Sequence, residues 1–174
     1  PNFLCFGQFE IDYYKRYKIK VENFFKVGSL RLANFFHYIK KNKIKLQKYK
    51  YDICLISEAN YGRNKIYKKQ SIEKGFSDIA SFTIKFCKKH NMKLIFVCKR
   101  SKKDNPNVHK LEVDFYKKYL SNSEFNYLFN HASEKNEATY SSYMAVLQSK
   151  VVVGNVSTML RENLAVGGKI LTCN

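Results

Sequence analysis

Short apolar runs that alternate with longer helical patterns constrain this chain most. The run Tyr51–Ala59 (YDICLISEA) is largely apolar, as is typical of a strand buried on both faces. A helical pattern follows over Ser71–Asn91, and the run Lys93–Arg100 (KLIFVCKR) begins directly after it. Strands separated by helices of ten or more residues predict βαβ units and a parallel sheet. The predicted fold class is therefore α/β, with a Rossmann-like parallel sheet flanked by helices.

The same alternation extends over the rest of the chain. Further strands are expected in five runs: Asn2–Gln8, Phe24–Leu30, Phe125–Phe129, Val151–Val153 and Lys169–Cys173. Further helices are expected in four segments: Leu30–Lys41, Val108–Leu120, Ala138–Gln148 and Ser157–Val166. With 174 residues the chain is long enough for one domain with a substantial core.

The chain is strongly basic, with 32 Lys and Arg against 14 Asp and Glu and a net charge of +18. One interpretation is an acidic partner: a nucleic acid, nucleotide phosphates or an anionic membrane surface. Another is that AT-rich coding favours Lys together with Asn, Ile, Tyr and Phe, because the lysines are spread evenly along the chain. Both interpretations stay open. No apolar run approaches 18 residues, so the sequence does not predict a transmembrane helix.

The five cysteines form no C-x-x-C pair and are odd in number. Cys54 and Cys98 fall in strand-like runs and Cys87 on an apolar helix face, where a free thiol behaves as a small hydrophobe. We expect reduced, buried thiols in a cytoplasmic compartment, with neither a zinc site nor a disulfide framework. The sequence also lacks an Asp-x-Asp motif, and it does not indicate a catalytic metal.

The segment VVVGNVSTMLRENL joins a predicted strand to a predicted helix and carries several polar groups. Gly154 permits a tight turn, and Ser157 is a good N-cap for the helix. The first amides of such a helix, and its dipole, favour an anion beyond the strand end. The hydroxyls of Ser157 and Thr158 suit phosphate oxygens, and Glu162 lies one turn further on. The alternative is plain capping, with Arg161 and Glu162 as surface charges.

Three segments together resemble a known family. VVVGNVSTMLRENLAVGGKILTCN (Val151–Asn174) resembles the donor-binding half of GT-B glycosyltransferases of bacterial surface polysaccharide biosynthesis, which have a strand, a Ser-Thr turn, a helix with Glu and then Gly-Lys. VGSLRLANFF (Val27–Phe36) resembles the Gly-Ser turn that opens this half. Phe96–Leu120 resembles its strand, Lys-Arg, loop and Glu-bearing helix. The resemblance covers the chain from about Val27 to the end and is nearest to Kdo transferases.

The resemblance implies a donor site at the carboxyl ends of the strands. Ser157 and Thr158 would bind the phosphate of the donor, with Glu162 near its ribose. Lys99 and Arg100 would face the same crevice and stabilise the charge of the leaving nucleotide. The alternative for this pair is two solvated cations at the end of a strand.

Three further residues belong to the predicted site. Gly28 and Ser29 would shape a loop that borders the cleft. Glu58 ends the run YDICLISEA, where a carboxylate could act as a catalytic base or nucleophile. The alternatives for Glu58 are a helix cap or a salt bridge to Arg63, and Glu112 is expected to pair with a lysine or arginine.

As a whole the resemblance implies a metal-independent glycosyltransferase without a cofactor other than its nucleotide-sugar donor, for which CMP-Kdo is the first candidate. Residues 1–174 would form a single nucleotide-sugar-binding domain of a two-domain enzyme whose acceptor-binding half is absent from this sequence. The acceptor would be a lipopolysaccharide or capsule glycan, or a glycolipid. The expected location is the cytoplasm, at the inner face of the cytoplasmic membrane.

Two other classes of protein are compatible with parts of the sequence. A basic nucleic-acid-binding α/β module would use lysines with interleaved Tyr and Phe, although the aromatics fall mostly on core faces. Nucleic acid is therefore not the expected partner. A response-regulator-like or flavodoxin-like domain would need an acidic cluster or a phosphate loop after the first strand, and neither is seen.

Overall fold

The computed structural model describes residues 1–59 and 69–172, and the chain divides into two compact units. The first unit comprises Pro1–Lys45 and the second Leu46–Asn174. The main sheet lies wholly within the second unit. The prediction that residues 1–174 form one domain stays a prediction. Arg63, the predicted alternative partner of Glu58, lies outside the described residues.

The first unit is a small parallel βαβα arrangement. Its elements are β1 (Asn2–Cys5), α1 (Gln8–Arg16), β2 (Asn23–Lys26) and α2 (Leu30–Lys41). The strands β1 and β2 pair in parallel. Gly28 has a φ of 65°, which a residue without a Cβ adopts without strain. Ser29 then caps α2, with its Oγ 3.1 Å from the backbone N of Leu32. Ser29 is therefore the N-cap of α2.

The second unit contains a five-stranded parallel sheet in the order β5-β4-β3-β6-β7. Its strands are β3 (Tyr51–Ile56), β4 (Leu94–Val97), β5 (Ala132–Ser133), β6 (Ser149–Gly154) and β7 (Lys169–Thr172). Its helices are α3 (Lys69–Lys89), α4 (Pro106–Tyr119), α5 (Asn122–Asn130), α6 (Ser141–Leu147) and α7 (Thr158–Ala165). The chain runs outward from β3 through β4 to β5 and then crosses back to the other side of β3. The predicted Rossmann-like α/β fold is confirmed.

The core has one layer on each face of the sheet, because successive residues of β3 point to opposite faces. Ile53 and Leu55 belong to the cluster formed with α3, α4 and α5. Cys54 and Ile56 belong to the cluster formed with α6 and α7. The central strand is therefore apolar at its four buried positions, Ile53–Ile56, as the apolar part of the run YDICLI predicts.

One strand prediction was wrong: Phe125–Phe129 is helical and forms most of α5. The alternation of Phe125, Tyr127 and Phe129 has a period of two, which suggested a strand. A capping box decides the structure instead, because the Ser121 side chain accepts from the N of Glu124 while the Glu124 side chain accepts from the N of Ser121. The Ser-x-x-Glu spacing was the sequence signal for this helix.

Glu124 also gives a prediction for the stability of the fold. The hydroxyls of Ser81 and Ser121 donate to its carboxylate at 2.6 and 2.7 Å. These hydrogen bonds lower the pKa of Glu124 from 4.5 to about 2. Because the folded state favours the ionised form, the stabilisation is complete above pH 4.5 and is lost as the pH falls towards 2. We expect Glu124→Gln to lower the free energy of unfolding at pH 7 by about 1–3 kcal/mol.

Urea denaturation of wild type and Glu124→Gln between pH 7 and pH 2 measures this effect. The difference in the free energy of unfolding between wild type and Glu124→Gln should become smaller as the pH falls, over the range in which both proteins remain folded. The control is Asp114→Asn, at an exposed position of α4, which should differ little from wild type at any pH. If this difference in the free energy of unfolding does not change with pH, the charge of the Glu124 carboxylate is not what stabilises the helix.

The described cysteines, Cys5, Cys54, Cys87 and Cys98, are buried, which confirms the burial predicted for Cys54, Cys87 and Cys98. Burial raises the pKa of the Cys87 thiol to about 11. Burial likewise raises the pKa of Cys54 and Cys98, so all three thiols are protonated at neutral pH. Among the described helices, none combines the length and the apolar character that a membrane crossing requires.

Candidate functional site

The candidate site lies at the carboxyl edge of the sheet in the second unit. The connections from β3 lead first to β4 and β5 on one side and then to β6 and β7 on the other. The strand order therefore reverses between β3 and β6, and in open α/β sheets ligands bind in the crevice at such a switch point. Of the predicted site residues, this edge brings together those that follow β3, β4 and β6. Gly28 and Ser29 belong to the first unit.

Glu58 lies two residues after the end of β3, and its side chain bridges the switch point to the loop after β6. Its side chain is buried, with 6% exposed, and its Oε1 accepts hydrogen bonds from two backbone amides of the β6–α7 loop. The distances are 2.9 Å to the N of Asn155 and 3.1 Å to the N of Val156. Hydrogen bonds to an ionised acceptor are about twice as strong as neutral ones. Glu58 is thus a positioning residue for the loop, and its predicted catalytic role stays a prediction.

The absence of a side chain at Gly154 allows the Glu58 carboxylate to approach the β6–α7 loop. A Cβ at position 154 would lie 3.2 Å from Oε1 of Glu58 and 3.2 Å from Cδ1 of Leu160. Both distances are shorter than ordinary van der Waals separations, so a larger residue would push the loop and the carboxylate apart. The glycine is therefore explained by the close approach of Glu58, in addition to the tight turn that its sequence position suggests.

The N-terminus of α7 opens on the same edge. Ser157 is the N-cap, with its Oγ 3.3 Å from the N of Met159. Thr158 is the first helical residue and is exposed to solvent. The amides of the first turn and the positive end of the helix dipole can receive an anion there. The geometry is compatible with phosphate binding by Ser157 and Thr158, which stays a prediction.

Glu162 points away from solvent and is 6% exposed. The hydroxyl of Tyr143, on α6, donates to its Oε2 at 2.9 Å. This contact joins α7 to α6, so Glu162 helps to fix the orientation of the helix whose N-terminus opens on the site. Its predicted contact with a donor ribose stays a prediction.

Lys99 and Arg100 follow β4 and are both exposed, as a contact with a ligand requires. Their backbone amides donate to the two carboxylate oxygens of Glu112 on α4, at 2.8 and 3.3 Å. Glu112 is fully buried, and its partners are these amides, whereas the sequence suggested a lysine or arginine side chain. The Nζ of Lys99 lies 3.4 Å from the carbonyl oxygen of Ala59, at the end of β3. Lys99 therefore reaches across the edge of the sheet towards Glu58.

A cavity of about 280 Å³ lies beside this pair, at the ends of β4 and β5. Its basic lining includes Arg100, Lys102, Lys103 and Lys135. Ser133 also lines it, and its Oγ is buried without a hydrogen-bond partner among the described residues. A buried hydroxyl without a partner and several cations suit a polar, negatively charged ligand. Sequence reasoning missed this cavity, because β5 has only two residues and was not predicted.

The edge also brings together three groups that can ligate a metal ion. Cys98, His109 and Glu112 each place one ligand atom within 4.8 Å of the others. No zinc site was predicted from the sequence, because Cys98 lies in a strand-like run and the other two residues lie on the helix that follows. Burial and the nearby Glu112 carboxylate raise the pKa of the Cys98 thiol well above its ordinary range.

The second unit is therefore an α/β domain of the Rossmann type, with the cations Lys99 and Arg100 and the N-terminus of α7 at the carboxyl edge of its sheet. The profile of a protein family described as "putative O-antigen biosynthesis protein" matches residues 10–174. The chain belongs to this family. A search of curated proteins found no match to the chain. O-antigen is a bacterial surface polysaccharide, so the family agrees with the resemblance to enzymes of surface polysaccharide biosynthesis.

Proposed function

We propose that the second unit is the nucleotide-sugar-binding domain of a GT-B-type glycosyltransferase that acts in O-antigen or related surface polysaccharide assembly. The observation that carries this proposal is the presence, on one sheet edge, of two features that suit an anion. The N-terminus of α7, with Ser157 and Thr158, supplies amides and hydroxyls. The end of β4, with Lys99 and Arg100, supplies positive charge. Membership in a family of O-antigen biosynthesis proteins supports the choice of reaction.

The proposed chemistry is transfer of a sugar from a nucleotide donor to a hydroxyl of the acceptor. The bond between the anomeric carbon and the phosphate oxygen breaks, a bond to the acceptor oxygen forms, and the acceptor proton passes to a base. Negative charge then develops on the nucleotide phosphate. Preorganised donors that face this charge lower the barrier. In this proposal Ser157, Thr158 and the first amides of α7 bind the phosphate, while Lys99 and Arg100 neutralise it.

The finer features of the proposal follow from the same edge. CMP-Kdo is the donor to test first, and contact of Glu162 with its ribose would require the buried side chain to leave Tyr143. Glu58 would keep the β6–α7 loop in the geometry that receives the phosphate, because it already holds the amides of Asn155 and Val156. The acceptor would be a glycan or glycolipid at the inner face of the cytoplasmic membrane, where the net charge of +18 favours anionic lipids.

Isothermal titration with CMP, UDP, GDP and CDP tests the proposal. We expect one nucleotide to bind specifically, with roughly tenfold weaker binding in Ser157→Ala and in Lys99→Ala, since each variant loses a hydrogen bond or charge at the phosphate. Lys89→Ala removes the same charge at the far end of α3 and is the matched control, with affinity equal to wild type.

Two results would contradict the proposal. One is the absence of binding for all four nucleotides at low and moderate salt. The other is binding that Ser157→Ala, Lys99→Ala and Lys89→Ala weaken alike, or that disappears with moderate salt without preference among the bases. The second result would favour the nucleic-acid-binding alternative, since non-specific phosphate binding depends steeply on salt.

A further inference from the structure

We propose that Cys98, His109 and Glu112 form a binding site for a divalent cation that prefers thiolate and imidazole ligands, of which Zn²⁺ fits best. The proposal does not rest on the proposed transferase function, although Glu112 also accepts from the amides of Lys99 and Arg100. It rests on the convergence of three different ligand types from two elements, the end of β4 and the first half of α4. Among the described residues, Cys98, His109 and Glu112 are the His, Cys, Asp or Glu side chains whose ligand atoms all lie within 4.8 Å of one another.

The geometry of the cluster suits one ion. His109 and Glu112 are three residues apart on α4 and therefore share a face of the helix. Cys98 follows β4 directly and meets this face from the sheet. Ligands bound to one tetrahedral Zn²⁺ at about 2.0–2.3 Å are roughly 3.5 Å apart. The ligand atoms lie within 4.8 Å of one another, so movements of about 1 Å would bring them to this separation.

Neighbouring backbone groups hold two of the ligands in place. The carboxylate of Glu112 accepts from the amides of Lys99 and Arg100, which fixes its orientation and leaves further lone pairs on both oxygens. The carbonyl oxygen of Arg100 lies 3.3 Å from Nδ1 of His109. Hydrogen bonds of these kinds orient metal ligands in proteins and are important for affinity.

The ligand set can balance the charge of a divalent ion, although the cavity beside it also carries the cations Arg100, Lys102, Lys103 and Lys135. On binding, the thiol of Cys98 forms the bond to the metal and releases its proton to solvent. The thiolate and the Glu112 carboxylate then balance the charge of Zn²⁺. Cys98 and His109 line the cavity of about 280 Å³, which gives the ion a path of entry and room for water to complete its coordination.

Cobalt titration tests the site directly, because a thiolate bound to Co²⁺ produces a strong charge-transfer absorption in the near ultraviolet. The chain is treated with chelator, kept reduced with a phosphine and titrated with Co²⁺, and Zn²⁺ is then added as a competitor. We expect one equivalent of Co²⁺ to bind with the thiolate absorption and Zn²⁺ to displace it. In Cys98→Ser the absorption should disappear and the affinity should fall about 100-fold or more.

Two further variants complete the test. Cys87→Ser alters another buried thiol, far from His109 and Glu112 along the chain, and should keep the absorption and the stoichiometry. His109→Ala removes a partly exposed side chain, so it is expected to fold even if Cys98→Ser does not, and it should bind Co²⁺ about 10–100-fold more weakly. Failure of wild type to bind Co²⁺ through a thiolate would overturn the proposal. An unchanged affinity in His109→Ala, or the same absorption in Cys98→Ser, would also overturn it.

Discussion

Replacement of Glu112 with alanine is expected to lower the free energy of unfolding by about 3–5 kcal/mol. The side chain is fully buried and accepts hydrogen bonds from the amides of Lys99 and Arg100. Without the carboxylate, both amides lose their acceptor and a space opens between β4 and α4. Each unsatisfied buried donor costs about 1–3 kcal/mol, and the lost packing adds to this.

Glu112→Gln separates the loss of charge from the loss of shape. Glutamine has one carbonyl oxygen, so it can accept from one of the two amides while its NH₂ group faces the other. We expect this variant to be destabilised, but less than Glu112→Ala. Urea denaturation with chelator present measures both effects and excludes a contribution from a bound metal ion.

The control for Glu112 is Asp114→Ala, on an exposed position of the same helix, which should lie within about 0.5 kcal/mol of wild type. Equal stabilities of Glu112→Ala and Asp114→Ala would show that the two hydrogen bonds contribute little. The nucleotide affinity of a folded Glu112→Gln protein should also fall, because Lys99 and Arg100 lose their fixed backbone.

Replacement of Glu58 with alanine is the second large change. We expect the free energy of unfolding to fall by about 2–4 kcal/mol, because the amides of Asn155 and Val156 lose a charged acceptor. We expect a smaller effect than for Glu112, since the Glu58 side chain keeps some exposure whereas Glu112 is fully buried. Nucleotide affinity should fall as well, because the turn before Ser157 loses its anchor.

A conservative variant distinguishes positioning by Glu58 from catalysis. Glu58→Gln keeps an oxygen that can accept from both amides, so its stability should lie within about 1–2 kcal/mol of wild type. If Glu58 acts only on the loop, nucleotide affinity and transfer rate in Glu58→Gln should follow its small loss of stability. A folded Glu58→Gln protein that binds nucleotide normally and transfers no sugar would instead establish the predicted catalytic role.

The matched control for Glu58 is Asp104→Ala, which removes an exposed carboxylate from the loop after β4 at the same edge of the sheet. Urea denaturation and nucleotide titration of Asp104→Ala should both match wild type. A loss of affinity as large as that of Glu58→Ala would mean that net charge near the edge, and not the position of the loop, controls binding.

The sheet could be predicted from the sequence because its central strands are apolar on both faces. The runs that became β3, β4 and β6 each lie between helical patterns, and parallel pairing follows from the length of those connections. Phe125–Phe129 shows the limit of this reasoning. Its aromatic alternation suited a strand, but the hydrogen bonds of Ser121 and Glu124 start a helix there.

The candidate site was predictable in position and less so in its contacts. Ser157, Lys99 and Glu58 were expected at the carboxyl ends of strands, and the fold places them there. The partners of Glu58 and Glu112 were not predictable, because both carboxylates bind backbone amides. Every non-proline residue carries such an amide, so the sequence does not mark the ones that a distant carboxylate will meet.

The pairing of β3 with β6 has a consequence for how the protein acquires its structure. Glu58 and its partner Asn155 are separated by 97 residues, and the strands that carry them are neighbours in the sheet. Contacts between segments so distant in the sequence require closure of a long loop, which slows folding. On the ribosome, β3 and β4 emerge long before β6, so the crevice between β3 and β6 forms only after nearly all of the second unit has been synthesised.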